Sequence, residues 1–347
     1  MLHRHPRSDL PAIPVYDVGR DWPMETLAVD TQRVHDLLDA AAAGVPKAAL
    51  RLGDAVSRRW LARSGNRHLG EIDRVAETID RPGAHYFNTS YEWGCTASVG
   101  PSPDGRTARL MRVLDWPDHG LGRYIVAVRV DGAAGPWITL TWPGYTGVLH
   151  ALAPGRFAAA LNQAPMDQPV GFFPLDWAVN RVGVWRSAEP TPAHLLRRAF
   201  EEACNFEEAR RILMETPLAL STIYSLTGTA PYEACIIERR EREAHVIEGP
   251  ASAANQWQRP DWRGRGRGVE NDVRACMMAD RDRELDPAFP WLAPPVLNET
   301  TRLALVADAG SGRMVVQGYE ADGPATQTLS LHEDVDGPGM DALGGEP

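Results

Sequence analysis

A cysteine thiol is a strong nucleophile only as thiolate, and a nearby cation or base favours that form. Cys95 follows a glycine, Gly94, and precedes Arg112 and Asp115 along one short stretch of chain. A β-type run begins at Cys95. Pro, Ser, Asp and Gly cluster over 101–105 as a turn, and a second run, 107–114, leads to Asp115. The spacing therefore predicts a hairpin with a thiol at the head of one strand and a cation and a carboxylate near the end of the other. The chemistry open to such a trio is nucleophilic attack on a carbonyl. Arg112 and Asp115 are an odd number of residues apart, so a regular strand points them to opposite faces. Both reach one site only if the strand ends or bulges near Leu114. The ordinary alternative for the pair is a surface ion pair of little energetic weight. For a free cysteine it is a buried, inert thiol, and Cys204, Cys235 and Cys276 are read that way.

The elements that must hold this hairpin can be read on either side of it. Residues 1–22 are polar and Pro-rich and read as an extended arm. From Pro23 to about Arg63 the pattern is helical, with Val34, Leu37, Leu38 and Ala41 on one stripe and Val56, Trp60 and Leu61 on another. A further helix runs from His68 to Ile79. After the hairpin come strands over 123–130 and 136–142, joined at Asp131-Gly132, and over 147–152 and 156–161, joined at Pro154-Gly155. Pro192 to Glu215 is expected as one helix, opened by Pro192 and stopped by Pro217. Strands follow over 233–239, 244–248, 301–307 and 314–319. Strand blocks flanked by helices predict an α+β layered fold. Residues 321–347 are acidic and rich in Gly and Pro, and read as a disordered tail.

Composition narrows the function. At 347 residues and 44% hydrophobic content the chain can bury a full core. Its net charge of −10 argues against nucleic acid as partner. The run Arg263-Gly-Arg265-Gly-Arg267-Gly268 could suit RNA, but in so acidic a chain it reads as a solvated loop, able to lie over a site. Without a Cys-x-x-Cys pair no zinc site is expected, and no cofactor is called for. No apolar run suits a membrane span or a secretory signal, so the expectation is a cytoplasmic protein with reduced thiols.

Six segments in order carry a family resemblance. Tyr91-Glu92-Trp93-Gly94-Cys95-Thr96 with Arg112-Val113-Leu114-Asp115-Trp116 resembles the acid ceramidase and N-acylethanolamine acid amidase family. Wider relatives of that family are the penicillin V acylases and bile salt hydrolases. Trp142 to Leu149 resembles its Gly-Tyr-x-Gly segment. Leu161-Asn162-Gln163 is similar to its Leu-Asn-Glu-Arg, and residues 216–229 to its helix-end and strand-entry region. Asn255-Gln256-Trp257 falls where Asn-Tyr-Asp-x-Trp is usual, and Glu270 to Arg274 resembles an acidic segment ending in Arg. The resemblance spans roughly residues 10 to 320 and implies an N-terminal nucleophile hydrolase with a four-layer αββα sandwich. Residues 1–94 would be the portion severed before Cys95 and retained, 95–320 the hydrolase domain.

The resemblance also implies roles. Cleavage between Gly94 and Cys95 frees an α-amine, whose ordinary pKa of about 7.7–8.0 lets it accept the thiol proton. Asp115 would hold that ammonium, Arg112 would favour the thiolate, and Arg274 would lie near the nucleophile. Asn255, with the segment Asn162-Gln163 and a backbone N–H at Gln163, would form an oxyanion hole. Trp116, Trp142, Tyr145 and Trp257 stand beside these residues in sequence and are expected to line an apolar acyl pocket. The substrate implied is a small-molecule or lipid amide, such as an N-acylethanolamine or ceramide-like compound. The alternatives are a penicillin V or bile salt acylase, and a non-catalytic binding protein on the same fold.

Overall fold

The structure, a computed structural model, describes residues 9–89 and 94–335. Tyr91-Glu92-Trp93 of the hairpin motif, residues 1–8 of the arm and residues 336–347 of the tail lie outside the described residues.

In chain order the elements are β1 (Val15–Val18), α1 (Trp22–Val29), α2 (Thr31–Ala41), α3 (Lys47–Arg63), α4 (Leu69–Ile79), α5 (Ala84–Thr89), β2 (Gly94–Pro101) and β3 (Ala108–Asp115). Then come β4 (Val126–Val130), β5 (Trp137–Thr141), β6 (His150–Ala153), β7 (Phe157–Gln163), α6 (Phe173–Arg186), α7 (Pro192–Glu202) and α8 (Phe206–Glu215). The last part of the chain holds β8 (Thr222–Thr227), β9 (Ala234–Arg239), β10 (Ala244–Glu248), β11 (Ala251–Ala253), α9 (Asn271–Ala279), β12 (Thr301–Asp308), β13 (Arg313–Glu320), β14 (Gly323–Pro324) and β15 (Leu329–His332).

Two sheets face each other. One has the order β1-β4-β5-β6-β7-β8-β9-β10; the other runs β11-β2-β3-β12-β13, with β14 and β15 both paired to β13. Strands β2 and β3 of the second sheet lie against β7 and β8 of the first. The period-two alternation of β3 builds both sides of its sheet. Leu110 and Leu114 join Cys95, Ala97 and Val99 in the core between the sheets. Met111 and Val113 face the other way, into a second core with Met278 of α9, Phe289 and Trp291. Helices α7 and α8 cover the first sheet at β7–β9, and α9 covers β2 and β11. The order is helix, sheet, sheet, helix, as expected of an α+β sandwich.

The hairpin forms as predicted. Cys95 pairs with Leu114 and Ala97 with Arg112 across β2 and β3. Ser102 N–H donates to Thr107 O at 2.8 Å across the turn, and Gly105 adopts φ +68° there, a region that favours glycine. No bulge interrupts β3 against β2. The irregularity falls instead on the neighbouring strand, between Thr301 and Leu303 of β12.

Three expectations need correction. The helix read over 192–215 is two helices. Asn205 starts α8, its side chain accepting from Glu208 N–H at 2.9 Å, while Cys204 N–H donates to Glu208 Oε2 at 2.9 Å. An Asn three residues before a Glu is a helix start, and it interrupts an otherwise continuous apolar stripe. The tail assigned to 321–347 is not disordered at its beginning, because β15 pairs with β13 from Arg313↔His332 to Val316↔Leu329. The arm read over 1–22 is built in where it is described: β1 pairs parallel with β4 and forms one edge of the larger sheet, and Trp22 already begins α1.

Helices α1–α5 carry a small core of their own, including Leu27, Val34, Leu38, Val75 and Ile79. They are also docked onto the sandwich. Trp22 meets Trp137 edge-on at 5.9 Å, and Asn88 Oδ1 accepts from Thr146 N–H at 2.7 Å.

Candidate active site

Cys95 is fully buried at the second position of β2. Arg112, on the same inward face of the hairpin, donates from Nη2 to Cys95 Sγ at 3.0 Å. Its Nη1 donates to Leu161 O at 2.6 Å and to Leu149 O at 3.1 Å. Two carbonyls, Leu161 O of β7 and Leu149 O just before β6, therefore aim the guanidinium at the sulfur. Burial pushes the Cys95 thiol up to about 11, with Arg112 pulling the other way. The thiol is protonated in this state, and Sγ lies 3.8 Å from Leu161 O.

Asp115 sits on the opposite face, as the odd spacing requires. Its Oδ2 pairs with Arg274 Nη1 of α9 at 2.7 Å, and its Oδ1 accepts from Thr301 Oγ1 at 2.9 Å and Asn298 Nδ2 at 3.2 Å. Burial raises the Asp115 carboxyl above its ordinary range, opposed by Arg274 and these two donors. A side chain at Gly94 would put its Cβ 3.3 Å from Asp115 Cβ and 3.7 Å from Asp115 Oδ2. Asp115 thus stands against the Gly94–Cys95 backbone rather than against the sulfur. The two faces of β3 serve two ends of one residue: Arg112 addresses the side chain of Cys95, and Asp115 addresses its main chain. No strand end or bulge is needed for both to reach it. Gly94 is set by space, since it is not among the positive-φ residues.

Asn255 links the two halves of the site. Its Oδ1 accepts from Cys95 N–H at 2.7 Å and lies 3.4 Å from Arg274 Nη2, while its Nδ2 donates to Gln163 O at 2.8 Å. Asn271 Oδ1 accepts from Arg274 Nη2 at 2.8 Å and from Asn255 N–H at 3.1 Å. Asn162 lies within β7 rather than in a turn. Its Nδ2 donates to Ala253 O at 3.2 Å, so it positions the chain just before Asn255. The structure brings Cys95, Arg112, Asp115, Asn255 and Arg274 into one cluster, with Gln163 joined to it through its carbonyl.

The expected four-aromatic pocket does not form. Trp116, Trp142 and Tyr145 are buried in an edge-to-face cluster, Trp116–Trp142 at 6.0 Å and Trp142–Tyr145 at 5.9 Å. Trp257 packs elsewhere, against Trp262 at 5.0 Å. Three of the four rings meet, and Trp257, which follows β11, is the one that stands apart. Of the four, Tyr145 lines a cavity, a small one shared with Leu161, Gln163, Asn88 and Ala193. At Gln163, Leu220 and Ser221 that cavity meets a groove of about 960 Å³, walled by Pro165, Met166, Val184 and Leu218 among others. Cys95 lines neither, standing behind Leu161.

Sequence reasoning missed the supports. Asn298 and Thr301, which hold Asp115, belong to an Asn-Glu-Thr-Thr stretch before β12, where Asn298 Oδ1 accepts from Thr300 N–H at 2.9 Å. That turn signature is visible in the sequence, though nothing there connects it to Asp115. The carbonyls of Leu149 and Leu161 carry no sequence signal at all. The loop 263–268 is also better anchored than a free solvated loop: Arg265 and Met166 exchange backbone hydrogen bonds, and Arg267 N–H donates to Asn255 O at 3.1 Å. Cys204 and Cys276 are exposed rather than buried; Cys235 is buried as expected.

No family model matches the chain. Human acid ceramidase is 25% identical over 118 residues, which are 34% of this chain and 28% of that protein. Naked mole-rat (Heterocephalus glaber) acid ceramidase is 27% identical over 106 residues, 30% of this chain and 25% of that protein. The chain thus spans about a quarter of the length of the curated relatives it matches. Among solved structures, a Caenorhabditis elegans ortholog of N-acylethanolamine-hydrolyzing acid amidase overlaps with a TM-score of 0.44 at 17% identity, covering 68% of this chain and 100% of the other. The chain is similar in sequence to the acid ceramidases over about a third of its own length.

Proposed function

We propose that this protein is a cysteine amidase of the N-terminal nucleophile kind, which cuts its own chain between Gly94 and Cys95 and then hydrolyses a linear amide. One observation carries the reading: Cys95 has its sulfur 3.0 Å from Arg112 Nη2 and its backbone N–H 2.7 Å from Asn255 Oδ1, with Asp115 against Gly94. A buried structural cysteine needs neither a guanidinium on its sulfur nor a carboxamide and a carboxylate along its main chain. The sequence similarity to acid ceramidases supports the same reading.

In the first reaction the Cys95 sulfur attacks the Gly94 carbonyl. The peptide C–N bond breaks as the C–S bond forms, the thiol proton passes to the leaving nitrogen, and Gly94 is left as a thioester. Water then releases the Gly94 carboxylate and frees the thiol. The new α-amine of Cys95 lies between Asp115 and Asn255, where Asp115 holds its protonated form. As the neutral amine it takes the thiol proton when Sγ attacks a substrate amide. The thiolate that results is stabilised by Arg112. Asn255, whose Oδ1 accepts from Cys95 N–H and whose Nδ2 donates to Gln163 O in the uncut chain, is assigned through Nδ2 to the oxyanion, a contribution of about 3 kcal/mol to the transition state. The amine leaves with the proton, and water hydrolyses the acyl thioester. The groove beyond Gln163 sets apolar residues such as Met166, Val184 and Leu218 beside charged ones such as Glu189, Glu241 and Arg242, which suits a substrate with both an acyl chain and a polar head; the substrate class proposed is a lipid amide of the N-acylethanolamine or ceramide type.

Intact mass and denaturing electrophoresis test the first step. Wild-type protein incubated at acidic and neutral pH is expected to yield two fragments, the larger beginning at Cys95, while Cys95→Ala stays whole. A panel of N-acylethanolamines, ceramide, penicillin V and conjugated bile acids tests the second. Hydrolysis confined to penicillin V or bile salts would move the protein to the acylase alternatives. An uncut chain that hydrolyses nothing would leave a binding protein on this fold.

A further inference from the structure

Strand β12 carries an extra residue where it meets the site. Asp115 pairs with Thr301 and Leu114 with Leu303, so Arg302 stands between them as a bulge. In a regular strand Thr301 would share the face of Leu303, which lies with Leu114 in the core between the sheets. The extra residue turns Thr301 over, onto the face of Asp115. Arg302 is itself buried and fixes the bulge. Its guanidinium donates to Pro117 O and Asp118 O beyond the end of β3, and to Glu299 O and Thr301 O of its own segment, at 2.8–3.2 Å.

Two side chains from this segment reach Asp115, and each is held in one orientation. Thr301 Oγ1 accepts from Asn298 N–H at 3.0 Å, and its single proton goes to Asp115 Oδ1 at 2.9 Å. Asn298 Oδ1 accepts from Thr300 N–H at 2.9 Å and from Thr300 Oγ1 at 2.6 Å. That fixes which way the amide points and leaves Nδ2 to donate to Asp115 Oδ1 at 3.2 Å. Both donors fall on the same oxygen. Oδ2 is left to Arg274 Nη1 at 2.7 Å and to the Gly94–Cys95 main chain. Besides Arg274 of α9, the charged and titratable groups acting on Asp115 are Arg112 of its own strand, Cys95 of β2 and Arg302 of β12.

We propose that Thr301 and Asn298 are positioning residues for Asp115, filling Oδ1 so that the carboxylate keeps Oδ2 turned to the nitrogen of Cys95. The proposal rests on the amidase reading, in which that nitrogen becomes an ammonium held by Asp115. Thr301 and Asn298 act on the reaction through the carboxylate. Donors to a carboxylate favour its charged form, so the loss of either one raises the pH at which Asp115 ionises.

Two readouts test it. The first is carbon-13 NMR of the aspartate carboxyls in the full-length Cys95→Ala chain, with Asp115→Asn identifying the signal. The ionisation midpoint of Asp115 is expected about one pH unit higher in Thr301→Val and in Asn298→Ala. Thr301→Ser, which keeps the hydroxyl, is expected to match the parent chain. The second readout is the pH profile of amide hydrolysis by protein with its native Cys95. The acid limb of kcat/KM is expected to move up by the same step in Thr301→Val and Asn298→Ala, about a tenfold loss of rate on that limb, and to return in Thr301→Ser. Urea unfolding checks that each variant is folded. Residues that only support the fold would lower stability and leave both pH readouts in place. An Asp115 midpoint unmoved in the folded variants therefore overturns the proposal, and so does a loss of hydrolysis with the acid limb unmoved. A wild type that neither cuts itself nor hydrolyses an amide overturns the amidase reading instead. The carbon-13 midpoint, read on a chain without the reacting sulfur, then still decides whether Thr301 and Asn298 set Asp115.

Discussion

At the scale of single residues the site depends on one guanidinium with three tasks. Arg112 is fully buried and bonds Cys95 Sγ, Leu149 O and Leu161 O at once. Arg112→Met keeps much of its volume but leaves two buried carbonyls without that donor and the sulfur without its cation. The expected outcome is a loss of about 3 kcal/mol in stability and at least about a hundredfold loss in amide hydrolysis, read from urea unfolding and steady-state rates. Burial also makes a prediction about the uncut chain. The thiol of Cys95 is pushed up to about 11, so it stays neutral throughout the physiological range and becomes thiolate only as pH rises towards that value. In full-length 38.1 kDa protein treated with iodoacetamide at pH 8, peptide mapping should find Cys204 and Cys276 modified and Cys95 untouched. Rapid labelling of Cys95 at that pH in the uncut species would contradict the buried, proton-bearing sulfur.

At the scale of elements, the helical segment before the hairpin is held to α7 by a polar seam. His68 and His194 lie ring to ring at 4.6 Å. His194 Nε2 meets Thr146 Oγ1 at 3.0 Å and its Nδ1 meets Asn66 Nδ2 at 3.2 Å. Around the pair stand Arg67, Glu71 and Arg197, with Arg197 Nη1 at 2.5 Å from Glu71 Oε2. Burial and the neighbouring arginines depress both rings, His68 to about 2 and His194 well below the ordinary value, against the partial pull of Glu71 on His194. A depressed base gives stability that is present above its unfolded value, near 6.5, and lost as pH falls towards the folded one. Between pH 6.5 and 5 each ring should remove up to about 2 kcal/mol. Urea midpoints at pH 7 and pH 5 check this: wild type should weaken clearly, and His68→Gln/His194→Gln should be flatter. An equal slope in both would locate acid sensitivity elsewhere. The seam matters for the site because Asn88, which bonds Thr146, also lines the small cavity beside Leu161 and Gln163.

For the molecule as a whole, a cut before Cys95 would not divide it into two bodies. Residues 9–89 supply β1, which pairs with β4 inside the larger sheet, and Trp22 and Leu37, which join the main core. The two fragments are therefore expected to co-elute on native size exclusion at the volume of the uncut chain and to separate only in denaturant. Separate, later elution of a free N-terminal fragment would mean that the strand and the tryptophan hold less than their burial suggests. This arrangement lets a new chain end form inside a finished fold, where the surroundings of the freed nitrogen already exist.

The sequence by itself was enough to mark Cys95, Arg112 and Asp115, because local signals carry them: the turn at 101–105, the alternation on either side of it, and the parity that separates Arg112 from Asp115. It also determined the α+β layering and most strands, since period-two runs and Gly-rich turns are short-range features. Asn255 and Arg274 came into view only through the family resemblance. What the tertiary structure alone decided is how distant groups converge. It chose which carbonyls aim Arg112, placed Asn298 and Thr301 on Asp115, and sent Trp257 away from Trp142. It also ended α7 at Glu202 and drew residues 329–332 onto β13. Each of these rests on contacts between segments far apart in the chain, whose positions are set by the packing of two sheets and not by anything a residue carries in its own neighbourhood.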